Sequence, residues 1–555
     1  MPRRSTTLAV LLAVAIVPYF IDLGGSSIWD ANEAFYVETP REMMEHRDYV
    51  TPTFNYEPRL NKPVLSYWIV AGFYYLFGVS VAVQRVPIAM AALVLILTAF
   101  CLGRVASPDP DVSRGVNSSE APLWAALGLA VTPRLLMFAR RIFIDVYISM
   151  FLGLTLLFFA LAERRPERRR TFLVLMYVAA GFGVLTKGPV AIALPGLAFG
   201  LYLLVHGELR RIGSMMLPLG ALIILAVVAP WYVALYVRHG WEPLTDFFLG
   251  ENLARYAAGV GVDSERGPFF YLPVLISDSF PWSMFLVAAA VSWWRARREG
   301  AHLRPDARIR TLLGIWIGAF VAFFSASAAK QDLYIFPIVP AIAVLAGVTI
   351  AGTAGAIVRW TSLAIGAVIA LAGVGVLYLF GPGASVYALA GAPAMGVAAL
   401  VGGVVAAVAA GANRTRASLL AVTVTFIVLN WVFVTRVLPD FERFKPVPGF
   451  AATLAPRIQP NDELITYDEA LPSLVFYLRR HIDPYFLPDE VFERFRSGHT
   501  VYAILSAENY AEIGSRISGR TCVIDRRPTF DVKLKTMLNR DSLPELLLIT
   551  NRCGM

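Results

Sequence analysis

Long apolar stretches separated by short charged turns run through most of this chain. About 20 apolar residues suffice to cross a bilayer, and several stretches reach that length. The pattern predicts thirteen membrane spans, at about residues 7–23, 84–104, 121–134, 143–162, 172–186, 189–206, 214–237, 269–292, 311–328, 333–350, 357–380, 393–411 and 417–437. Segment 63–80 is short and aromatic-rich, and counting it as a span would place the basic segment 164–170 outside. We therefore predict an interfacial or re-entrant helix there.

Composition supports an all-α polytopic membrane protein. Of 555 residues, 57% are hydrophobic and 16% are charged, whereas about 25% charge is usual for soluble domains. The formal net charge of +9 comes from basic clusters at alternate turns of the chain, which the positive-inside rule assigns to the cytoplasm. This topology places the N-terminus inside, and the absence of an exposed basic domain argues against nucleic-acid binding.

The C-terminal region differs in kind from the rest. Segments typical of strands (463–467, 500–505, 521–524, 545–549) alternate with segments typical of helices (471–480, 507–517). We predict two domains: a transmembrane domain over 1–438, with an external first loop at 24–62, and a small α/β domain over 439–555 on the outer, periplasmic side. No internal repeat is evident, which disfavours a transporter built from inverted repeats.

Charged residues cluster at the outer ends of the predicted spans, where charge beside hydrocarbon is costly and indicates function. In the first loop, Asp30 and Glu33 lie three residues apart and share a helix face if Ser26 or Ser27 caps a helix there. Such a pair can act as general base and orienter or hold a divalent metal. Alternatively, these acids only favour a helix N-terminus.

The other outer turns carry both signs of charge. Cations at headgroup level, such as Arg59 and Lys62, bind lipid phosphate or merely extend to the interface. Arg141 and Asp145 are four residues apart and could form an ordinary helical ion pair, although a carboxylate entering an apolar run suggests function. Further candidates occupy the following outer turns: Lys187, Glu251, Arg255, Lys330 and Tyr334.

Several kinds of chemistry find no support in the sequence. The six histidines are scattered without HExxH spacing, and the three cysteines form no metal-binding pattern. A phosphate-binding GxxxxGK[ST] loop, a GxGxxG turn after a strand and a GxSxG elbow are all absent. A nucleotide is therefore not expected as the direct donor, and no cofactor is predicted with certainty.

The motifs together resemble the polyprenyl-phosphate-sugar glycosyltransferases of the GT-C superfamily, which include protein O-mannosyltransferases and lipid A aminoarabinose transferases. The resemblance covers about residues 5–350. It rests on the first-loop acids, REM at 41–43, NKPVLSYW at 61–68, LTKGP at 185–189, PWY at 230–232, FFLGENLARY at 247–256, GPFFYLPVL at 267–275, FPW at 280–282 and AAKQDLYIFPIVP at 328–340. Thirteen spans with an external C-terminal domain resemble the aminoarabinose transferases in particular.

This resemblance implies a sugar donor linked to undecaprenyl phosphate and a reaction on the periplasmic side of a bacterial inner membrane. The sugar would be 4-amino-4-deoxy-L-arabinose or a related pentose or hexose, and the acceptor lipid A or another periplasmic molecule. The first-loop acids would supply the base, and Asp145 would orient a catalytic group or contact the acceptor. The donor phosphate would be held by Lys62, Arg255 and Lys330, with Arg59 and Tyr334 as further candidates.

The first loop departs from the family pattern at one position. Where relatives usually carry Asp-Glu with Tyr three residues beyond the Glu, this chain has Asn32-Glu33 and Tyr36. Asp30 or Glu33 must then provide the base.

A protein O-glycosyltransferase is an alternative function, and so is a transporter of lipid-linked glycans, which would place charged residues in the middle of its spans. A receptor anchored by the spans would not need thirteen of them.

Overall fold

The computed structural model describes residues 2–30, 32–108, 120–259, 266–352, 355–382, 387–517, 521–530 and 543–553. Up to residue 444 it is a helical bundle. Its main helices are Pro2–Ile16, Asn32–His46, Leu65–Phe77, Val81–Val105, Ala121–Ala130, Pro133–Ala139, Ile144–Arg164, Arg169–Lys187, Val190–Val205, Leu217–His239, Asp246–Ala254, Tyr271–Asp278, Leu286–Arg298, Pro305–Ala326, Val339–Gly352, Ala356–Phe380, Ala392–Gly411 and Thr415–Val432.

Many of these helices are long and apolar enough to cross a membrane. Within the described residues there are nine such helices, or eleven if each of two sharply bent pairs is one span. The bent pairs are Ala121–Ala130 with Pro133–Ala139, at 58°, and Tyr271–Asp278 with Trp282–Arg298, at 109°. Thirteen spans would also require the shorter helices Arg4–Tyr19 and Val190–Val205, so that number stays a prediction. The segment predicted to be an interfacial or re-entrant helix contains the helix Leu65–Phe77.

A tight turn at the end of one helix carries the predicted site residue Lys187. Helix Arg169–Lys187 ends at Gly188, whose φ of +90° suits glycine, and Pro189 precedes the next helix. A Cβ at Gly188 would lie 2.7 Å from the Phe247 ring. The turn therefore packs directly on segment Asp246–Ala254, and Lys187 lies at that contact.

The C-terminal region folds around one mixed sheet. Its strands are Glu463–Tyr467, Asp483–Tyr485, Val501–Ser506, Cys522–Pro528 and Glu545–Thr550, arranged so that the strand at 463–467 lies between those at 483–485 and 501–506. These three run parallel, whereas the strand at 545–550 pairs antiparallel with those at 501–506 and 522–528. Helices Pro446–Leu454, Ser473–Leu478, Pro488–Arg496 and Ala507–Ile517 cover the sheet.

Alternating side chains of the sheet build two separate cores. Leu464 packs on one face with the helix at 446–454, while Ile465 packs on the other with the helix at 488–496. This alternation follows from the two-residue period of a strand. No strand was predicted at 483–485.

The first loop contains the helix Asn32–His46 and the short antiparallel pair Thr53–Phe54 and Glu57–Pro58. Neither Ser26 nor Ser27 caps this helix, so the condition for a face shared by Asp30 and Glu33 is not met. The helix begins at Asn32, and the Ser26 hydroxyl instead donates to Glu442 at 2.9 Å, as does the Ser27 backbone N–H. Asp30 therefore precedes the helix and does not share a helix face with Glu33.

Candidate functional site

Two predicted cations share one carboxylate beside the first loop. Lys62 Nζ lies 3.2 Å from Glu251 Oε2, and Arg255 lies 3.1 Å from the same oxygen. Glu251 and Arg255 face each other because they are four residues apart on a continuous helical segment. Arg255 Nε is buried without a hydrogen-bond partner in the described structure. One carboxylate thus serves two cations, and an anionic ligand could complete their coordination.

A second pair lies at the turn after helix Arg169–Lys187. Lys187 forms an ion pair with Asp145, so Asp145 does not take part in the helical pair with Arg141 considered from the sequence. The Asp145 side chain is 5% exposed and that of Lys187 21%. The Lys187 ammonium lies 5.4 Å from the centre of the Tyr334 ring. The structure therefore brings these three predicted residues together.

Lys330 lies on a third segment, which contacts the segment that carries Arg255. Its buried ammonium donates to Ser327 O at 2.5 Å, and its own carbonyl accepts from Arg266 at 3.0 Å. The backbone N–H of Ala328 donates to Tyr256 O at 2.8 Å. This bond fixes the Lys330 loop against the segment that carries Arg255.

The cations are close enough to affect one another. Burial lowers the pKa of Lys62 from its usual value; Glu251 opposes this shift, and the charges of Arg255 and Lys187 add to it. Lys62, Arg255 and Lys187 outnumber Glu251 and Asp145, so the cluster has a formal excess of positive charge. Next to it lies a cavity of about 570 Å³, lined by Pro58, Leu60, Asn61, Glu242, Pro243, Asp246, Phe247, Gly250 and Glu251.

Arg59 and the rings of Phe35, Tyr36 and Tyr67 lie next to the residues that line this cavity. The Arg59 guanidinium lies 4.0 Å from the centre of the Phe35 ring and donates to Asn61 at 3.2 Å. Tyr36 stacks on Tyr67 at 5.5 Å between ring centres. In the described part of the chain, Arg59 Nε and the Tyr67 hydroxyl are buried without hydrogen-bond partners. Such orphaned groups are costly unless a ligand or water satisfies them.

Glu33 is held in a buried ion pair away from this cluster. Arg85 Nε lies 2.7 Å from Glu33 Oε1, and both side chains are almost fully buried. The other carboxylate oxygen accepts from Arg85 at 2.8 Å and from the Trp29 backbone N–H at 2.9 Å. With both oxygens engaged, Glu33 is poorly placed to take a proton from an acceptor.

Asp30 is engaged by the C-terminal region. Its Oδ1 accepts from the Ser473 hydroxyl at 2.5 Å and from the Ser473 backbone N–H at 3.0 Å. Burial raises its pKa, although the bonds from Ser473 and the charge of Lys445 oppose that shift. Asn32, the departure from the family pattern, is exposed at the start of its helix. Asp30 therefore connects two parts of the molecule.

Arg141 lies near the contact between the first loop and the C-terminal region. Its guanidinium lies 4.8 Å from the centre of the Trp29 ring, and Lys445 Nζ lies 3.9 Å from that centre. Lys445 also pairs with Glu442 at 2.9 Å and donates to Ser27 O. Arg141 is thus near the first loop but apart from Asp145.

Several charged residues were missed from the sequence. Arg85, Arg134 and Asp278 all lie in apolar helices, and the rule that charge within an apolar span indicates function would have found them. Ser473 and Lys445 gave no such signal. Among the described residues, no group of three or more His, Cys, Asp or Glu side chains is arranged to hold a metal ion.

This chain is similar in sequence to two kinds of known glycosyltransferase. The family described as dolichyl-phosphate-mannose-protein mannosyltransferase matches residues 61–233. The undecaprenyl phosphate-alpha-4-amino-4-deoxy-L-arabinose arabinosyl transferase of Pectobacterium carotovorum subsp. carotovorum is 30% identical over 406 residues, which are 68% of this chain and 67% of that protein. Transferase 1 of the same name from Pseudomonas fluorescens is 28% identical over 66% of this chain.

The chain spans about 60% of the length of the first curated relatives it matches. Among solved structures, ArnT from Cupriavidus metallidurans bound to undecaprenyl phosphate superposes on this chain with a TM-score of 0.78. The superposition covers 99% of both chains, and the sequence identity is 23%. At that identity the likeness establishes the fold, which extends over the bundle and the C-terminal region.

Proposed function

The chain belongs to the GT-C polyprenyl-phosphate-sugar glycosyltransferases, and we propose that it transfers a sugar from undecaprenyl phosphate to a periplasmic acceptor. The sugar is 4-amino-4-deoxy-L-arabinose or a close relative, and the acceptor is lipid A. The site and the C-terminal domain face the periplasm of the bacterial inner membrane, and the N-terminus is cytoplasmic.

The excess of cations around Glu251 and Asp145 is the observation that carries this proposal. When the bond between the anomeric carbon and the phosphate oxygen breaks, negative charge grows on the lipid phosphate. Lys62, Arg255 and Lys187 stabilise that charge directly, and their partly dehydrated setting strengthens the effect. Arg59 lies between Pro58 and Leu60, which line the adjoining cavity.

The acceptor oxygen attacks the anomeric carbon from the opposite side, loses its proton and forms the new glycosidic bond. We assign the base to Asp145 in preference to Asp30 and Glu33. Lys187 engages its Oδ1, whereas both oxygens of Glu33 are engaged by Arg85 and Asp30 accepts two hydrogen bonds from Ser473. The Asp145 carboxylate takes the proton of the acceptor hydroxyl as the bond to the anomeric carbon forms. Tyr36 and Tyr67 offer an aromatic surface for the sugar ring.

A transfer assay tests the proposal. Purified protein in detergent is given radiolabelled undecaprenyl-phosphate sugars, with lipid A and a periplasmic protein extract as competing acceptors. Label in lipid A supports the proposal. Because residues 61–233 match a family of protein mannosyltransferases, label in protein would instead establish protein O-glycosylation. Folded protein that transfers nothing from any donor would overturn the proposed function.

A further inference from the structure

Three charged residues meet where the two bent helix pairs come together. Arg134 lies at the start of the short helix Pro133–Ala139, Asp278 at the end of Tyr271–Asp278, and Asp332 at the start of the turn Asp332–Ile338. Arg134 forms ion pairs with both acids. Three separate segments thus converge on one charged cluster, which the mechanism above does not use.

The cluster has one cation for two carboxylates. Arg134 Nε is 3.7 Å from Asp278 Oδ1, which is too long for a hydrogen bond. Asp278 is only 4% exposed, and its Oδ2 has no hydrogen-bond partner in the described structure. An unpaired buried carboxylate oxygen is costly, and a second cationic donor would remove that cost. The Asp332 side chain is 42% exposed, so the cluster is accessible from that side.

The cluster adjoins the cations assigned to the donor phosphate. Asp332 lies two residues from both Lys330 and Tyr334, which limits each Cα separation to about 7 Å. The Tyr271 hydroxyl donates to Gln331 O at 3.0 Å, which fixes the helix carrying Asp278 against this turn. A positively charged region therefore lies next to a negatively charged one.

We propose that Asp278 and Asp332 form the subsite that binds a cationic group on the transferred sugar. This inference rests on the proposed function. A phosphate-linked amino sugar carries its negative charge at the phosphate and its positive charge on the sugar ring, which matches the order of charges along the site. The two acids accept hydrogen bonds from the sugar ammonium, and Arg134 holds them in place.

The test compares two undecaprenyl-phosphate donors, one carrying 4-amino-4-deoxy-L-arabinose and one carrying arabinose with a hydroxyl in place of the amine. Wild-type protein should prefer the amino donor. Asp332→Asn should lower kcat/KM for the amino donor by about 10- to 100-fold, the range for a lost charge-assisted hydrogen bond, and should lower it much less for the neutral donor. Asp278→Asn, measured on folded protein, should act in the same way.

Asp306→Asn is the matched control, because Asp306 is a buried acid paired with Arg304 and Arg310 in a predicted cytoplasmic turn. It should leave donor preference unchanged. Active protein whose preference survives both Asp278→Asn and Asp332→Asn would overturn the subsite while leaving the proposed function intact. Wild-type protein inactive with every donor would overturn both.

Discussion

At the scale of single residues, the carboxylates near the candidate site have different environments. Glu33 and Asp30 are engaged by Arg85 and Ser473, whereas Asp145 is paired with a lysine that belongs to the cation cluster. This difference assigns distinct roles to residues that look equivalent in the sequence.

Asp145→Asn should therefore lower kcat by at least about 100-fold, because the carboxamide cannot take the acceptor proton. The KM for the donor should change much less, since Lys187 stays in place. Steady-state kinetics with a lipid-linked donor measure both parameters, and thermal unfolding in detergent checks the fold. A variant with wild-type kcat would exclude Asp145 as the base.

The protonation of Lys62 predicts a pH dependence. Its pKa is lowered by burial, so on raising the pH it loses its charge earlier than an ordinary lysine would. The KM for the donor should rise as the pH increases through that lowered pKa. In Lys62→Arg the guanidinium stays charged, so the alkaline rise should move to higher pH. Superimposable KM–pH profiles for the two proteins would contradict this role.

At the scale of elements, the C-terminal domain holds the first loop through many hydrogen bonds. Tyr477 accepts from the Ile28 backbone N–H at 3.0 Å, and the Asn55 side chain exchanges hydrogen bonds of 2.8 and 2.9 Å with the backbone of Ile482. Together with Asp30 and Ser473, these contacts fix the approach to helix Asn32–His46. The domain therefore stabilises the loop that borders the site.

Asp30→Ala should accordingly destabilise the protein by about 1–3 kcal/mol, because it removes two hydrogen bonds and leaves Ser473 unpaired. Transfer per folded molecule should stay within a few-fold of wild type. Thermal unfolding and single-turnover transfer measure the two effects, with Asp489→Ala as control because that side chain is 89% exposed. Unchanged stability with abolished transfer would return Asp30 to the role of base.

At the scale of the whole molecule, the proposed topology places the C-terminal domain and the basic turns on opposite sides. In a variant with its three cysteines replaced by serine, Gly498→Cys should react with a membrane-impermeant maleimide added to cells whose outer membrane has been permeabilised. Leu303→Cys, at a 66% exposed position, should react only after the inner membrane is lysed. The reverse pattern would invert the topology.

Hydrophobic runs and charge at span ends were enough to predict a helical membrane protein and to select Lys62, Glu251 and Arg255, which the structure brings together. A sequence shows which charged residues lie beside hydrocarbon, but it does not show which residues they pair with. Asp30 and Ser473 are 443 residues apart, and Asp145 and Lys187 are 42 apart, so only the folded packing of helices reveals these pairs. The base could not be chosen from sequence for that reason.

The kinetics of Lys62→Ala test whether the cations around Glu251 and Asp145 bind the donor phosphate. Glu251 keeps Arg255 as a partner, so the fold should persist. We predict that kcat/KM for the lipid-linked donor falls by about 100-fold or more, as when one charge-stabilising group is removed. Arg238→Ala, which breaks a half-exposed pair with Asp48, should have little effect. Folded Lys62→Ala protein with wild-type kcat/KM would show that these cations do not bind the donor phosphate.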